Sequence, residues 1–174
     1  MPLYCPKLIP IWLVITSLIC TWDSAFVLLR PRSLPGGDLH KYFFPYAKYI
    51  KIDRMYGDMQ NPFAESQGYL NVAEIVLNLV SLALLYLFND KSKQILGTLL
   101  ALIVNSFTFW KTVLYVVFGE HFADHSDQFG YVFLYLVPGG VWIVLPFICI
   151  LQLTSFLKNK LVLAEEKLEK NKQK

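Results

Sequence analysis

Four long runs of hydrophobic residues, separated by polar segments, dominate the pattern along this chain. They cover residues 8–29, 71–88, 95–118 and 131–153. A helix needs about 20 apolar residues to cross the hydrocarbon core of a bilayer, and all four runs are close to that length. Because a backbone in contact with lipid must satisfy its own hydrogen bonds, each run is predicted to be a helix. The pattern predicts an all-α membrane protein, a bundle of four transmembrane helices.

Composition agrees with this prediction. Of the 174 residues, 55% are hydrophobic and 16% are aromatic, and the mean hydropathy is +0.44. A soluble domain of this size rarely reaches such an apolar fraction. The net charge of +3 gives no reason to expect a nucleic-acid partner, and no motif indicates a cofactor. The first run is longer than the apolar segment of a cleavable signal, so it is predicted to stay as a span.

A polar segment of mixed character, residues 30–70, separates the first two runs. It opens with a Pro/Gly-rich turn at 31–37, which is expected to end the first helix. Aromatic residues then alternate with basic ones, a mixture typical of the lipid headgroup layer, although a solvated loop is the alternative. The residues concerned are Tyr42, Phe43, Phe44, Tyr46, Tyr49 and Tyr56, interleaved with Lys41, Lys48, Lys51 and Arg54.

The distribution of Lys and Arg predicts the orientation and the domain organisation. These residues are slightly more numerous at the N-terminus, in loop 89–94 and in the tail, which predicts that both termini are cytosolic. Segments 30–70 and 119–130 are then lumenal loops, the first of them long. Residues 1–157 form one four-helix domain, followed by a Lys-rich tail, 158–174. Lys170 and Lys172 resemble a dilysine retrieval signal, which predicts the endoplasmic-reticulum membrane.

Three ionisable residues fall within the predicted spans, where each is a functional candidate because a charge in the membrane is costly. Counting from the lumenal ends at about 1.5 Å per residue, Asp23 is about 9 Å deep, Glu74 about 5 Å and Lys111 about 10 Å. In the fourth run, Pro138-Gly139-Gly140 begins at a similar depth, about 10 Å. The four helices therefore place polar or irregular residues at one level, which predicts a cavity there.

Two carboxyl groups at one level suggest acid–base chemistry on a hydrophobic ligand. Their mutual repulsion in a low dielectric should keep one of them protonated. A protonated acid can donate a proton to an alkene, and its neighbour can remove another. Aromatic rings can stabilise the intermediate cation, and a protonated amine would bind to the same groups. The rings available are those of Trp22, Trp110, Tyr115 and Trp142.

A structural explanation of the same residues stays open. Lys111 can neutralise Asp23 or Glu74 and fix the packing, with interhelical hydrogen bonds from polar residues nearby. Those residues are Asn78, Asn105 and Thr108. His121 and His125, with Asp124 beside them, have a spacing that suits a metal, but surface histidines are more often solvated. No metal site is predicted.

Several short motifs in order along the chain carry a resemblance to a known family. They are Asp23-Ser24-Ala25-Phe26-Val27-Leu28, Tyr46-Ala47-Lys48 leading to Tyr56-Gly57-Asp58, Ala73-Glu74-Ile75, Val113-Leu114-Tyr115 and Val141-Trp142-Ile143-Val144-Leu145-Pro146. From about residue 22 to 153 the chain resembles the EXPERA-domain family, which includes emopamil-binding protein, a sterol isomerase, and the sigma-two receptor. The resemblance implies a four-helix protein of the endoplasmic reticulum whose ligand cavity opens toward the membrane.

The resemblance also implies site residues. Asp23 and Glu74 match the two acidic positions and are the predicted catalytic residues. Trp142 matches the cavity tryptophan. Ile19 and Gly139 replace a histidine and an asparagine of the isomerases, and Lys111 stands where they have no cation. The predicted ligand-binding residues are Trp22, Asn78, Trp110, Lys111, Tyr115 and Trp142.

Three functions remain as hypotheses from the sequence. The first is an enzyme that shifts a sterol double bond by protonation and deprotonation. The second is a non-catalytic protein of the sigma-two type, which binds or moves a sterol or a cationic amphiphile. The third is a structural membrane partner of other proteins. The expected partners are a sterol or related hydrophobic ligand and membrane lipids, and a homodimer is left open.

Overall fold

The structure, a computed structural model that describes residues 5–173, is helical along most of this length. Four helical segments are long and apolar enough to span a membrane, which confirms the prediction of a helical chain with four such segments and is compatible with a multi-pass membrane protein. The helices are α1 (Leu8–Leu28), α2 (Tyr46–Ile52), α3 (Arg54–Gly57), α4 (Pro62–Tyr86), α5 (Lys91–Gly119), α6 (Gln128–Gly130) and α7 (Val137–Lys172). A π-helical turn, Tyr131–Leu136, joins α6 to α7, and 3₁₀ turns occupy His40–Tyr42 and Glu120–Phe122.

Helix α4 buries most of its polar residues and exposes many apolar ones. Along α4 the buried positions recur every three or four residues and include Gln67, Asn71, Glu74, Asn78 and Ser81. The opposite face of α4 exposes apolar residues such as Val76 and Leu79. Such an arrangement suits helices surrounded by lipid, where polar side chains must find partners inside the bundle.

The long helices pack in the order α1, α4, α5, α7 around the bundle. α1 and α7 close the circle near the start of α1, where Ile9 and Leu13 share a hydrophobic core with Cys149 and Leu153. Trp12 of α1 and Trp142 of α7 meet edge to face, with ring centroids 5.3 Å apart. Beyond this contact a cavity lies between the two helices.

Residues 40–57, called the lid below, fold over one end of the bundle. Phe43, Tyr46 and Tyr56 are buried there against Phe26 of α1, whereas Tyr42 and Phe44 are exposed. The expectation of an aromatic headgroup layer thus fits only part of this segment. Its buried rings belong to the core.

Backbone hydrogen bonds and one arginine hold the lid in place. The backbone N–H of Asp124 donates to the carbonyl oxygen of Ile52 at 2.8 Å, which ties the lid to the α5–α6 loop. The Arg30 guanidinium donates to the carbonyl oxygens of Met55 and Tyr56 at 3.3 and 3.0 Å. The lid is therefore attached both to the end of α1 and to the loop after α5.

Two of the four helices extend well beyond their hydrophobic runs. α4 begins at Pro62, where Asn61 caps the helix by accepting the Phe63 N–H at 3.0 Å. The expected start at residue 71 was therefore wrong, and Glu74 lies twelve residues into its helix rather than three. α7 continues to Lys172, so most of the Lys-rich tail is helical. Polar residues lower hydropathy without ending a helix, which explains both differences.

Candidate ligand cavity

A cavity of about 350 Å³ lies beneath the lid, with walls from all four long helices. Most of its lining is apolar or aromatic, and three of its polar groups, Asp23, Asn71 and Lys111, are joined by hydrogen bonds. Leu134 and Tyr135 of the π-helical turn and Pro138 of α7 also contribute. The residues in its wall are Ile19, Cys20, Trp22, Asp23, Pro45, Tyr46, Tyr49, Tyr56, Gln67, Asn71, Lys111, Thr112, Tyr115, Val116, Leu134, Tyr135, Pro138, Gly139 and Trp142.

Asp23 receives hydrogen bonds from the lid and from α4. The Tyr46 hydroxyl donates to Oδ1 at 2.8 Å, and the Tyr56 hydroxyl lies 3.1 and 3.0 Å from Oδ1 and Oδ2. Asn71 Nδ2 donates to Oδ2 at 2.9 Å. Burial raises the pKa of Tyr46 and of Tyr56 above the usual range, so both phenols keep their protons at neutral pH. Asp23 therefore holds the lid against the bundle.

Glu74 forms a buried ion pair with Lys111. Lys111 Nζ lies 2.7 Å from Glu74 Oε2 and also donates to Asn71 Oδ1. Glu74 Oε1 accepts a hydrogen bond from Thr16 Oγ1 at 2.8 Å, and Cys20 Sγ lies 3.7 Å from the same oxygen. Glu74 is completely buried and is not part of the cavity wall.

Asn71 connects the two acidic residues. Its amide nitrogen donates to Asp23, and its amide oxygen accepts from Lys111, which pairs with Glu74. The two carboxylates thus belong to one hydrogen-bond network without bonding to each other. Of the charged residues in this network, Asp23 and Lys111 line the cavity.

A further carboxyl group, Asp53 of the lid, is buried against α5. It accepts hydrogen bonds from the hydroxyls of Tyr49, at 3.1 Å, and Tyr115. Burial is the main cause that raises the pKa of Asp53 to about 6. No spacing or motif in the sequence indicated this residue.

The structure brings most of the predicted site residues to the cavity, but not all of them. Trp22, Lys111, Tyr115 and Trp142 line it together with Asp23. Asn78 is buried on the face of α4 that also carries Glu74 and Ser81, outside the wall. Trp110 is 67% exposed on the outer surface of α5, because it lies on the opposite face of that helix from Asn105 and Thr108.

Sequence reasoning missed Asn71, Tyr46 and Tyr56. Asn71 lies three residues before Glu74, so a helical face extended backward from Glu74 would have included it. The tyrosines lie in a segment with no long periodic pattern, and only the fold brings them back to Asp23.

The His121/His125 pair lies outside the cavity. His125 Nε2 is 3.5 Å from Glu120 Oε1, and Asp124 pairs with Arg54 at 3.1 Å. Within residues 5–173 no three His, Cys, Asp or Glu side chains are grouped so as to hold a metal ion.

Comparison of the chain with known proteins gives no match to a family model, to a curated protein or to a solved structure.

Proposed function

We propose that this chain is a sterol-handling membrane protein that binds its ligand in the cavity beneath the lid. The observation that carries the proposal is the cavity itself: about 350 Å³, largely apolar, with its charged and amide groups together. Binding sites for small hydrophobic molecules have volumes of roughly 300–1,000 Å³ and a few polar groups that set the orientation.

A sterol matches this distribution of groups. Its fused rings suit the apolar and aromatic wall, and its hydroxyl group both donates and accepts a hydrogen bond. Lys111 offers N–H donors at the polar region and Asp23 offers an acceptor. Because α1 and α7 both line the cavity, meet only near the start of α1 and have apolar outer surfaces, we propose that the ligand enters from the bilayer.

The resemblance to the EXPERA-domain family supports the same proposal. Asp23 and Trp142, which match family positions, both line the cavity. Glu74 matches the second acid, but here it is paired with Lys111 and sits behind the wall. The arrangement therefore favours binding or transport of a sterol over its chemical conversion.

Sterol isomerisation is the second candidate. One observation favours it: Asp23 shares hydrogen bonds with the Tyr46 and Tyr56 hydroxyls beside aromatic rings that suit a carbocation. In this scheme protonated Asp23 donates its proton to one carbon of the double bond, and the carboxylate so formed removes a proton from the carbon on the other side of the cation. Glu74 only fixes the position of Lys111. Turnover of a sterol whose double bond moves by one position would support this candidate.

The test is lipid analysis of purified protein. Wild type, Asp23→Asn and the exposed control Glu65→Gln are purified, and bound lipid is extracted and identified by mass spectrometry. Wild type and Glu65→Gln should carry sterol. Asp23→Asn should bind about tenfold less, because a mismatched buried polar group costs about 1–3 kcal/mol. Absence of sterol from wild type, together with no saturable binding of added sterol, would overturn the proposal.

Conversion is tested on the same samples. Each protein is incubated with one member of a pair of sterols that differ by a double-bond shift. Formation of the other member by wild type, and not by Asp23→Asn, would establish the isomerase. Sterol binding without conversion would leave the non-catalytic function.

We also propose residence in the endoplasmic reticulum with both termini cytosolic. The tail that carries Lys170 and Lys172 is exposed, as a signal read by a cytosolic coat requires. Replacing both lysines with serine should let a tagged protein reach later compartments. An unchanged distribution would show that these lysines are not the signal.

A further inference from the structure

Two asparagines deep in the bundle have polar atoms that no other group in residues 5–173 satisfies. Asn78 on α4 and Asn105 on α5 are each 1% exposed. Asn78 Oδ1, Asn78 Nδ2 and Asn105 Oδ1 form no hydrogen bond within this part of the chain. An unsatisfied polar group in a membrane interior costs several kcal/mol, so three such atoms call for an occupant.

The register of the packed helices α4 and α5 places the two asparagines about one turn apart along the bundle. Ser81 Oγ of α4 donates a hydrogen bond to the Gly97 carbonyl oxygen of α5 at 2.8 Å, and this bond fixes the register of the two antiparallel helices. Helical side chains lean toward the N-terminus of their own helix, so in antiparallel helices Asn78 and Asn105 lean toward each other. The Asn105 Nδ2 contact with the Ala101 carbonyl oxygen, 2.7 Å, agrees with this direction.

This pair of asparagines lies directly behind the ion pair. Asn78 follows Glu74 by one helical turn on the buried face of α4. On α5, Thr108 is buried one turn from Lys111, and Asn105 is one turn further. Neither asparagine belongs to the wall of the cavity. The position is thus separate from the proposed sterol site, and Glu74 lies between the two.

The unsatisfied atoms identify the chemistry of the occupant. Two are acceptors, Asn78 Oδ1 and Asn105 Oδ1, and one is the donor Asn78 Nδ2. A bare cation would leave the donor without a hydrogen bond, and an anion would leave both acceptors without one. Water donates and accepts, and a buried water typically makes about three hydrogen bonds. We propose that Asn78 and Asn105 form a buried water-binding site on the inner side of the Glu74–Lys111 ion pair.

Water at this place has a consequence for the ion pair. Removing two charges from solvent is costly, and dipoles that reorient nearby reduce that cost. The site therefore hydrates the Glu74–Lys111 pair from the side opposite Asp23. It is independent of the sterol proposal, since it requires only the α4–α5 interface.

Infrared spectroscopy tests the occupant directly. Wild-type protein in detergent should show an O–H stretch of weakly bonded internal water that shifts when H₂¹⁶O is exchanged for H₂¹⁸O. Asn78→Leu and Asn105→Leu should lose this band, since leucine has a similar volume and no polar atom. Ser106→Ala is the matched control, because the Ser106 hydroxyl bonds to the Leu102 carbonyl oxygen of its own helix. Absence of the band from wild type would overturn the proposal without any variant needing to fold.

Thermal unfolding provides a second readout. A single leucine variant leaves the other amide with an incomplete set of partners, so each single variant should melt below wild type. The double variant Asn78→Leu/Asn105→Leu replaces both partners and should melt above either single variant. Additive stabilisation by the two single variants would mean that the amides are dry, and the proposal would be wrong. If the changes in melting temperature are non-additive but the isotope-sensitive band is absent, the two amides bond directly to each other. That result would also overturn the proposal.

Discussion

Lys111 is the charged side chain that connects the buried Glu74 with the cavity. It pairs with Glu74, donates to Asn71 and lines the cavity. Because Lys111 lies inside an apolar run, burying its charge costs free energy that these partners offset. Among residues 5–173, no cation other than Lys111 contacts Glu74.

Lys111→Met should destabilise the protein strongly. Removal of one partner leaves Glu74 buried and unpaired, a change that typically costs about 3–5 kcal/mol. Glu74→Gln/Lys111→Met should recover part of the loss, because the double variant has no unpaired charge. The measurement is thermal unfolding in detergent, followed by tryptophan fluorescence. The exposed tail residue Lys160 supplies the control, Lys160→Met, which should melt like wild type. Equal melting temperatures for Lys111→Met and wild type would contradict the ion-pair interpretation.

Asp53 should make stability depend on pH. Its pKa rises from 3.8 to about 6 on folding because it is buried, so the native state holds a proton that the unfolded state has lost between these pH values. The contribution of Asp53 is complete below about pH 4 and is lost as the pH rises through about 6, a change of about 3 kcal/mol. Asp53→Asn cannot ionise, so it should gain stability relative to wild type between pH 4 and pH 7.

Hydrogen exchange of the lid and thermal unfolding, each at pH 4 and at pH 7, would measure the difference in stability between wild type and Asp53→Asn. Glu169→Gln is a suitable control, because Glu169 is an exposed carboxyl of the tail without an ion pair among residues 5–173. If the gap between wild type and Asp53→Asn stays constant with pH, Asp53 titrates alike in both states and the prediction fails.

At the scale of single residues, the sequence indicated which charged residues matter but not which side chains bond to them. The cost of an ionisable group in a span singled out Asp23, Glu74 and Lys111, and all three belong to one network. The assignment of Glu74 to the same depth as Asp23 rested on a helix start that was nine residues late. The sequence did not identify Asn71, Asp53 and the lid tyrosines as site residues. Which side chains of distant segments meet depends on the direction each helix face points and on the path of the loops, and hydropathy encodes neither.

At the scale of elements, hydropathy predicted where the four long apolar helices are and not where they begin and end. α4 and α7 both continue through polar residues, α4 at its N-terminal end and α7 at its C-terminal end. Loop structure was predicted least: the α1–α4 segment contains two short helices and a buried aromatic cluster. Its aromatic residues carried the signal, but a headgroup layer and a packed lid share the same composition.

The α5–α6 loop offers a test of orientation. It lies on the same side of the bundle as the lid, since the Asp124 N–H bonds to Ile52. The positive-inside count predicts that this side is lumenal. A glycosylation acceptor inserted between Asp124 and Asp127 should therefore receive a glycan, detected as a shift on gel electrophoresis that glycosidase removes. An acceptor added after Lys172 is the control and should stay unmodified. A glycan on the tail alone would show that the orientation is inverted.

At the scale of the whole molecule, the cavity exists because α1 and α7 pack together at one end of the bundle only. Trp142, which contacts Trp12, is part of its wall, and the lid tyrosines cover it through their hydrogen bonds to Asp23. The π-helical turn before α7 supplies Leu134 and Tyr135 to the wall, and such turns are frequent at functional sites. The polar network thus joins the lid, α1, α4 and α5 into one unit around the cavity.

Two adjacent glycines of α7 allow the cavity to be tested against the helix that carries them. Gly139 lines the cavity, and a Cβ added there would lie 2.9 Å from Val116 Cγ2 of α5. A Cβ added at Gly140 would meet no atom within 4 Å. Leucine at either position raises helix propensity equally, so the two variants differ in what the new side chain touches. Gly139→Leu should reduce sterol binding about tenfold or more, equivalent to about 1.4 kcal/mol, because its side chain occupies ligand space. Gly140→Leu should bind like wild type. Saturation binding of a labelled sterol to both purified variants measures the difference, and equal affinities would place the ligand outside this cavity.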